Sequence, residues 1–463
     1  MTARNRSLYI KPQRGTNLCL FVANTKMATI VFMPFHWASD LNPTFALAQK
    51  LSTRGHRVHY FGIPDIAERI RSQGFDFTPV FSRAFPEGTL AKQSESEAQG
   101  KRYGVDEFRD RFLGTCELLR EGELDRGIRQ AQPDLLLTSS GTPWVGMAAC
   151  QTGVPVINFC STLISVEDSA IPPFSTEIIP KPTWPSQLRI WFEWKKLFWY
   201  RRYSRGWNIS EELKALARDC SYPLEKIDFR VETWPRLLLP ELVFFPKELD
   251  FPRARTPEGA FFIEGAVDVQ RADGDFPWEQ LDDSKLLVYC TLGSLLPFKF
   301  PERASQFFQM FMDAMAQRPA LQGVVTIGNY LKTEEFNCPD NVLITSYAPQ
   351  IQVLERASLM VSHGGVTGLK ESAFMGVPML LMPVSYDEFG NAARVVYHGL
   401  GERLRLKEVS ALELGRLIDR VLEDPSYSAR AKLMSEKLRQ LELESPGVAI
   451  IEDILSQSQR STK

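Results

Sequence analysis

The chain has 463 residues, 44% of them hydrophobic and 24% charged, with a net charge of −2. These values sit near globular averages and exclude a disordered, collagen-like or coiled-coil chain. The length suits two domains, and the missing basic excess argues against a nucleic-acid partner.

Seven scattered cysteines with no C-x-x-C spacing, and five histidines with no HExxH pair, argue against a disulfide framework and a metal site. They suit a reducing, cytoplasmic compartment. No run approaches the ~18 apolar residues that span a bilayer.

In chain order, residues 1–26 read as a disordered N-terminal extension, with Met27 placed as an alternative start. An apolar strand is expected over 29–35, a helix over 42–52 ended by Gly55, a strand over 58–62 and a helix over 66–73. This β-α-β-α alternation marks a doubly wound parallel sheet. The polar stretch 82–104 reads as a long loop. A strand over 134–139, a helix over 145–152 and a strand over 154–160 follow. From 165 to 250 the pattern breaks into a Pro- and aromatic-rich segment.

A second β-α-β series opens at 286–292. Its strands are expected over 323–327, 342–345, 359–362 and 379–382, with helices over 307–316, 366–374, 390–398, 410–423 and 426–442. The fold class is therefore α/β: a first domain over 27–245, a linker over 246–284, a second domain over 285–440 and a C-terminal tail over 441–463. Two such sheets facing each other imply a cleft, because ligands sit at the carboxyl ends of the strands.

The most informative stretch runs from Tyr347 to Arg394. A strand ending at Ser362 runs into His363-Gly364-Gly365, and a helix starts at Val366 or Thr367. Glycines let a backbone approach a ligand closely, and a helix N-terminus offers unpaired N–H groups to phosphate. Glu371 lies one turn after Thr367, where a carboxylate can accept from ribose hydroxyls. Asp387-Glu388 follows the next strand end, where paired acceptors suit sugar hydroxyls.

These pieces, in this order, resemble the donor-binding signature of the UDP-glycosyltransferase superfamily with its GT-B fold of two facing Rossmann-like domains. The matching residues are Tyr347-Ala348-Pro349-Gln350, His363-Gly364-Gly365 with Glu371, Gly376-Val377-Pro378, Asp387-Glu388 and Asn391-Ala392. The resemblance implies that Tyr347 stacks on the uracil and that Ala348 bonds it through its backbone. It places Gln350 and Glu371 at the ribose. His363, Gly365, Thr367, Gly368 and Ser294 would hold the diphosphate, and Asp387 and Glu388 would read the sugar. Three departures stand out: Gly368 replaces a Ser, Tyr347 a Trp, and Glu388 a Gln. The last removes donors and leaves the usual glucose open.

The same resemblance expects a catalytic base in the loop after the first strand. Counting back from Pro43 puts Asp40 there, like the G-D-x-x-P variant of sterol and glycopeptide glycosyltransferases. The residue reading keeps two alternatives: Asp40 as a helix N-cap, and His36 as the base. Ser140 stands where many relatives carry an orienting Asp.

Residues 188–207 combine Trp191, Phe192, Trp194, Phe198, Trp199, Tyr200, Tyr203 and Trp207 with six basic residues and only Glu193 acidic. They read as a helix packing on its own domain beside the acceptor, or as a peripheral membrane contact. The implied activity is inverting, metal-independent transfer of a hexose from a nucleotide-diphosphate sugar to a hydroxyl of a hydrophobic small molecule. The nucleotide sugar is a co-substrate and no cofactor is expected. A nucleotide-sugar epimerase and a non-catalytic nucleotide-sugar binder are the alternatives.

Overall fold

The computed structural model describes residues 27–98, 105–203, 209–269, 271, 274–293, 296–297, 300–405 and 409–461. The extension expected over 1–26, Ser294, and Trp207 lie outside the described residues.

Two parallel sheets form the frame. In the first, the spatial order is Asp76–Pro79, Arg57–Gly62, Thr29–Met33, Leu135–Ser139, Val156–Cys160, Glu241–Val243 and Ala260–Phe262. In the second it is Val342–Thr345, Leu321–Thr326, Leu286–Thr291, Ala357–Ser362, Met379–Leu381 and Gly401–Arg403. All these pairings are parallel.

The opening five strands of each sheet follow the same doubly wound order. The chain starts in the middle, runs to one edge, then returns and runs the other way. The direction reverses beside the first strand of each sheet, which is where such sheets open a ligand crevice. The central strands are apolar on both faces because helices cover both sides, as in Leu135–Ser139, where every residue is buried.

Several boundaries differ from the sequence reading. The first helix spans Ala38–Thr53 and so begins ahead of Pro43. Pro43 removes one N–H, but the carbonyl it would have met belongs to exposed Ser39, which water can satisfy. The stretch read as a loop over 82–104 carries a helix, Thr89–Ala98. The strand Ala260–Phe262, inside the expected linker, pairs with Glu241–Val243 and completes the first sheet. The expected C-terminal tail is mostly a helix, Pro446–Ser461. Its Val448, Ile451, Ile454 and Leu455 enter the first domain's core beside Leu47 and Leu51.

Candidate active site

The first strand, Thr29–Met33, delivers the chain to a loop at its carboxyl end, and the helix restarts at Ala38 with Trp37 as its N-cap residue. Asp40 is the third residue of this helix. The N-cap reading of Asp40 is therefore corrected: the backbone N–H groups of Asp40 and Leu41 bond the Trp37 carbonyl at 3.0 and 2.9 Å, and no side chain caps the helix.

The Asp40 carboxylate instead turns toward the sheet. It accepts from the Phe35 N–H at 2.7 Å and from the Ser161 hydroxyl at 2.8 Å, with the Ser139 hydroxyl as a third donor. These donors come from the carboxyl ends of three neighbouring strands. Asp40 is 8% exposed, and burial pushes its pKa up to about 6 against the opposing pull of those hydrogen bonds.

His36 lies in an aromatic cluster, its ring centroid 4.2 Å from Phe35 and 5.7 Å from Phe85. Burial and the nearby Arg111 push its pKa down to about 4. Of the two candidate bases, Asp40 has the greater proton affinity. Trp144 packs edge-on against Phe112 and Trp234. The hydroxyls that hold Asp40 are those of Ser161 and Ser139, not the Ser140 counted back from Trp144.

On the second sheet, the strand Ala357–Ser362 ends at His363, and the helix Val366–Met375 starts after Gly365 with no side-chain cap. The first N–H groups of that helix are thus left for an anion. The His363 ring is wedged between two glycines: a Cβ on Gly293 or on Gly365 would meet it at 2.8 or 2.6 Å. Both neighbours must therefore lack a side chain. Burial pushes the His363 pKa down to about 4, so near neutral pH its ring is an uncharged donor and acceptor. Its Nδ1 lies 3.3 Å from the Ser362 hydroxyl.

Gln350 and Glu371 form one polar unit. The Gln350 amide donates to Glu371, which also accepts from Arg271 at 3.1 Å, and Tyr289 donates to Gln350 at 3.3 Å. Tyr347 is 49% exposed and Ala348 is buried. Gly368, on the first turn of the Val366–Met375 helix, has room for a Cβ only if the Met360 methyl at 3.1 Å gives way.

The expected sugar readers are held differently from the sequence reading. Glu388 accepts from the N–H groups of Val384 and Ser385 at 2.7 and 2.8 Å, so it fixes the loop before its own helix. Burial pushes its pKa up to about 7. In its hydrogen bonds to the loop Glu388 acts as an acceptor. Asp387 bonds the Asn391 amide at 3.0 Å, and that amide also reaches the Gly364 carbonyl at 2.9 Å. Asn391 thus ties the Gly364 loop to the Asp387 loop.

The two halves face each other. A cavity between the domains is lined by Asn42 and Pro43 of the first helix and by Arg271, Thr367, Lys370 and Glu371. Asn42 Oδ1 is buried with no hydrogen-bond partner among the described residues. Lys370 crosses to the Phe244 carbonyl at 2.9 Å. Nearby, the Gly390 N–H meets the Phe174 carbonyl at 2.7 Å, a seam so tight that a Cβ on Gly390 would collide with Phe174 backbone. Among the described residues, no group of three or more His, Cys, Asp or Glu side chains is placed to hold a metal ion.

Residues 311–448 match the family described as Erythromycin biosynthesis protein CIII-like, C-terminal domain. The uncharacterized UDP-glucosyltransferase YojK of Bacillus subtilis is 22% identical over 421 residues, covering 89% of this chain and 94% of that protein. The zeaxanthin glucosyltransferase of Pantoea ananas is 23% identical over 430 residues, covering 89% of this chain and 93% of that protein. Along most of its length the chain is thus similar to glycosyltransferases.

The solved structure of the glycotransferase of kitacinnamycin superposes with a TM-score of 0.67 at 23% identity, covering 94% of this chain and 99% of that one. That of the glycosyltransferase VinC in complex with dTDP gives 0.61 at 18% identity, covering 92% and 99%. They place this chain in the GT-B fold.

The structure gathers His363, Gly365, Thr367 and Gly368 at one helix start, and Gln350 with Glu371 beside it. Ser161, Ser139, Asn42, Arg271 and the Gly390–Phe174 seam were not singled out in the sequence. Ser161 directly follows a strand end, which was the available signal. His363→Ala should weaken free UDP or dTDP by ~1–3 kcal/mol, the size of a hydrogen bond to a charged phosphate, as read by titration calorimetry. Unchanged affinity would remove His363 from the diphosphate site.

Proposed function

We propose that the protein transfers a hexose, glucose in the simplest case, from a nucleoside diphosphate sugar to a hydroxyl of a hydrophobic small molecule, with inversion at the anomeric carbon. The observation that carries this reading is the buried Asp40 carboxylate, its pKa pushed to about 6, at the carboxyl ends of the first sheet. The helix that bears it lines the same cavity as the phosphate-facing helix of the second domain.

In this reading Asp40 takes the acceptor proton as the new C–O bond forms, and the diphosphate leaves with the bonding pair of the old one. An alcohol is a far weaker acid than Asp40, so proton transfer runs late along the reaction. Burial narrows that gap. Ser161, Ser139 and the Phe35 N–H fix the carboxylate. Neutral His363 and the N–H groups opening the Val366–Met375 helix stabilise the charge growing on the leaving diphosphate. Holding both substrates across one cleft removes much of the entropic barrier.

UDP is the nucleotide proposed from the sequence resemblance, and the VinC complex supports dTDP as the comparison to run against it. The aromatic cluster of Phe35, His36, Trp37 and Phe85 beside Asp40 supports an apolar acceptor. The zeaxanthin relative supports the same.

The test is a panel of UDP- and dTDP-sugars against lipophilic alcohols and phenols, with products identified by mass and the anomer by NMR. Hydrolysis alone, or no turnover on any pair, would count against transfer. Within that panel a neutral hexose should outcompete a uronate, because a sugar carboxylate would be buried beside Asp387 and Glu388 and repelled by whatever fraction of them is ionised. Preference for the uronate would reverse this. Glu388→Gln should keep the loop, since an amide oxygen still accepts from Val384 and Ser385, and should weaken the preference by removing one of the two acids.

A further inference from the structure

The helix Trp184–Tyr203 has two apolar faces with different fates. One is inside. Ile190 and Trp194 are buried and pack with Ile178, and the Trp194 indole donates to the Ile171 carbonyl at 2.9 Å. Arg201 donates to the carbonyls of Val231 and Thr233 at 2.6 and 3.0 Å. These contacts fix the helix's rotation about its axis.

The opposite face is outside. Trp184, Leu188, Trp191, Phe192, Trp199 and Tyr203 are between 50% and 74% exposed. At 3.6 residues per turn they fall within about one third of the circumference. Large side chains of ~150–250 Å² each, more than half exposed, amount to on the order of 600 Å². That matches or exceeds the largest patch on a typical monomer.

Cations are set into and beside this face. Lys195 and Arg202 lie within the stripe, with Arg189 and Lys196 at its edge. The helix carries five basic residues and one acidic residue, in a chain whose net charge is −2. Lys195 pairs with Glu167 and also lies 5.8 Å from the centre of the Trp191 ring.

We infer that this face is a docking surface for an anionic lipid bilayer, entering only the headgroup layer. Two alternatives fit the charges poorly. A protein partner's dry interface core disfavours lysine, whereas the headgroup layer takes it, the stem lying among acyl chains and the ammonium among phosphates. A two-fold contact with a second copy would set the same cationic stripe against itself. Trp and Tyr at this density suit a boundary with one wet and one apolar side. Among the described residues no helix is long and apolar enough to cross a membrane, so the contact is peripheral.

The helix also sits beside the cleft. The segment it packs on includes Phe174, whose carbonyl bonds Gly390 of the second domain. A bilayer bound here would lie near the point where a lipophilic acceptor enters. The docking itself does not depend on sugar transfer and is tested without donor or acceptor.

The experiment is co-sedimentation of the full chain with phosphatidylcholine vesicles and with vesicles of equal phosphatidylcholine and phosphatidylglycerol. Binding to the anionic vesicles, weakened by salt, is expected. The double variant Phe192→Ser/Trp199→Ser should partition ~tenfold more weakly or worse. Arg189→Glu/Arg202→Glu should weaken anionic binding ~fivefold per charge. Leu412→Ser, an exposed position on another helix, should bind as the parent does. Nucleotide affinity, unchanged in all variants, reports that they fold. The inference is overturned by absence of binding to anionic vesicles, by binding that survives both double variants, or by a dimer in sedimentation velocity that the Phe192→Ser/Trp199→Ser variant abolishes.

Discussion

Asp40→Asn is expected to lower transfer to an alcohol by ~10²–10⁴-fold, the usual worth of a positioned general base, while nucleotide affinity stays unchanged. The amide oxygen of Asn can still accept from Phe35 or Ser161, so the loop is retained and only the proton acceptor is lost. The pH profile separates Asp40 from His36. With Asp40 at about 6, kcat/KM in the parent should fall as pH drops through that value. His36, pushed down to about 4, gives no inflection there. An active Asp40→Asn enzyme alongside an inactive His36→Ala enzyme would transfer the role to His36.

The same residue predicts a stability effect of opposite sense. Burial raises the Asp40 pKa in the folded state, so its ionisation opposes folding. The favourable contribution of the protonated form is whole below the ordinary carboxylate pKa near 4 and is lost as pH rises through about 6. Asn does not ionise. Relative to the parent, Asp40→Asn should therefore gain ~1–3 kcal/mol between pH 4 and pH 8, as followed by thermal unfolding at both values. A catalytic variant that is more stable than its parent at pH 8 would show that the enzyme gives up stability to keep this carboxylate dry.

Asp250→Ala should be the most damaging single change to the fold, at ~3–5 kcal/mol. Asp250 lies between the first-sheet strands Glu241–Val243 and Ala260–Phe262 and is 4% exposed. Its carboxylate accepts from Arg394 Nε at 2.8 Å and from Arg253 Nε at 2.9 Å. Arg253 also reaches the Ile164 carbonyl at 2.9 Å, and Arg394 lies over the Phe251 ring. Burial works to raise the Asp250 pKa, but the two guanidinium groups outweigh it and hold the carboxyl below its ordinary range. Removing the carboxylate strands two buried cations. Because the network is dry, the loss should change little with added salt. For the same reason stability from this residue persists above the ordinary carboxylate range and drains only below it. Urea unfolding of parent and variant at two salt concentrations checks both points.

What the sequence made legible follows from range. Strands such as Leu286–Thr291 and Ala357–Ser362 are apolar runs bounded by polar or glycine residues, and a central parallel strand must look that way because helices bury both faces. His363, Glu371, Asp387 and Asn391 could be grouped as candidate donor residues because they lie within one stretch, where spacing carries local geometry. Glu241–Val243 and Ala260–Phe262 are too short to show a period. The Asp40–Ser161 bond joins residues 121 apart, and no local pattern announces it. The N-cap alternative failed because the helix starts before Pro43, a start decided by the Trp37 carbonyl. The bonds of Glu388 to its own loop were not legible, because composition does not show whether an acid faces solvent or its own backbone.

The Pro446–Ser461 helix makes the chain cross between the domains twice, once after the strand Ala260–Phe262 and once through residues 444–447. The two crossings lie together: Glu264 accepts from the Gly447 N–H at 2.9 Å and from Lys50 at 3.2 Å, and Lys50 also pairs with Glu442. A single tether would act as a swivel, leaving the domains free to twist, slide and tilt. Two tethers pinned side by side act as a door hinge and leave one swing. Every opening that admits a substrate should then retrace the same arc on closing, returning Asp40 to the same place opposite the Val366–Met375 helix. Cutting the chain near residue 445 would cost this enzyme its alignment as well as the four apolar side chains that the helix buries.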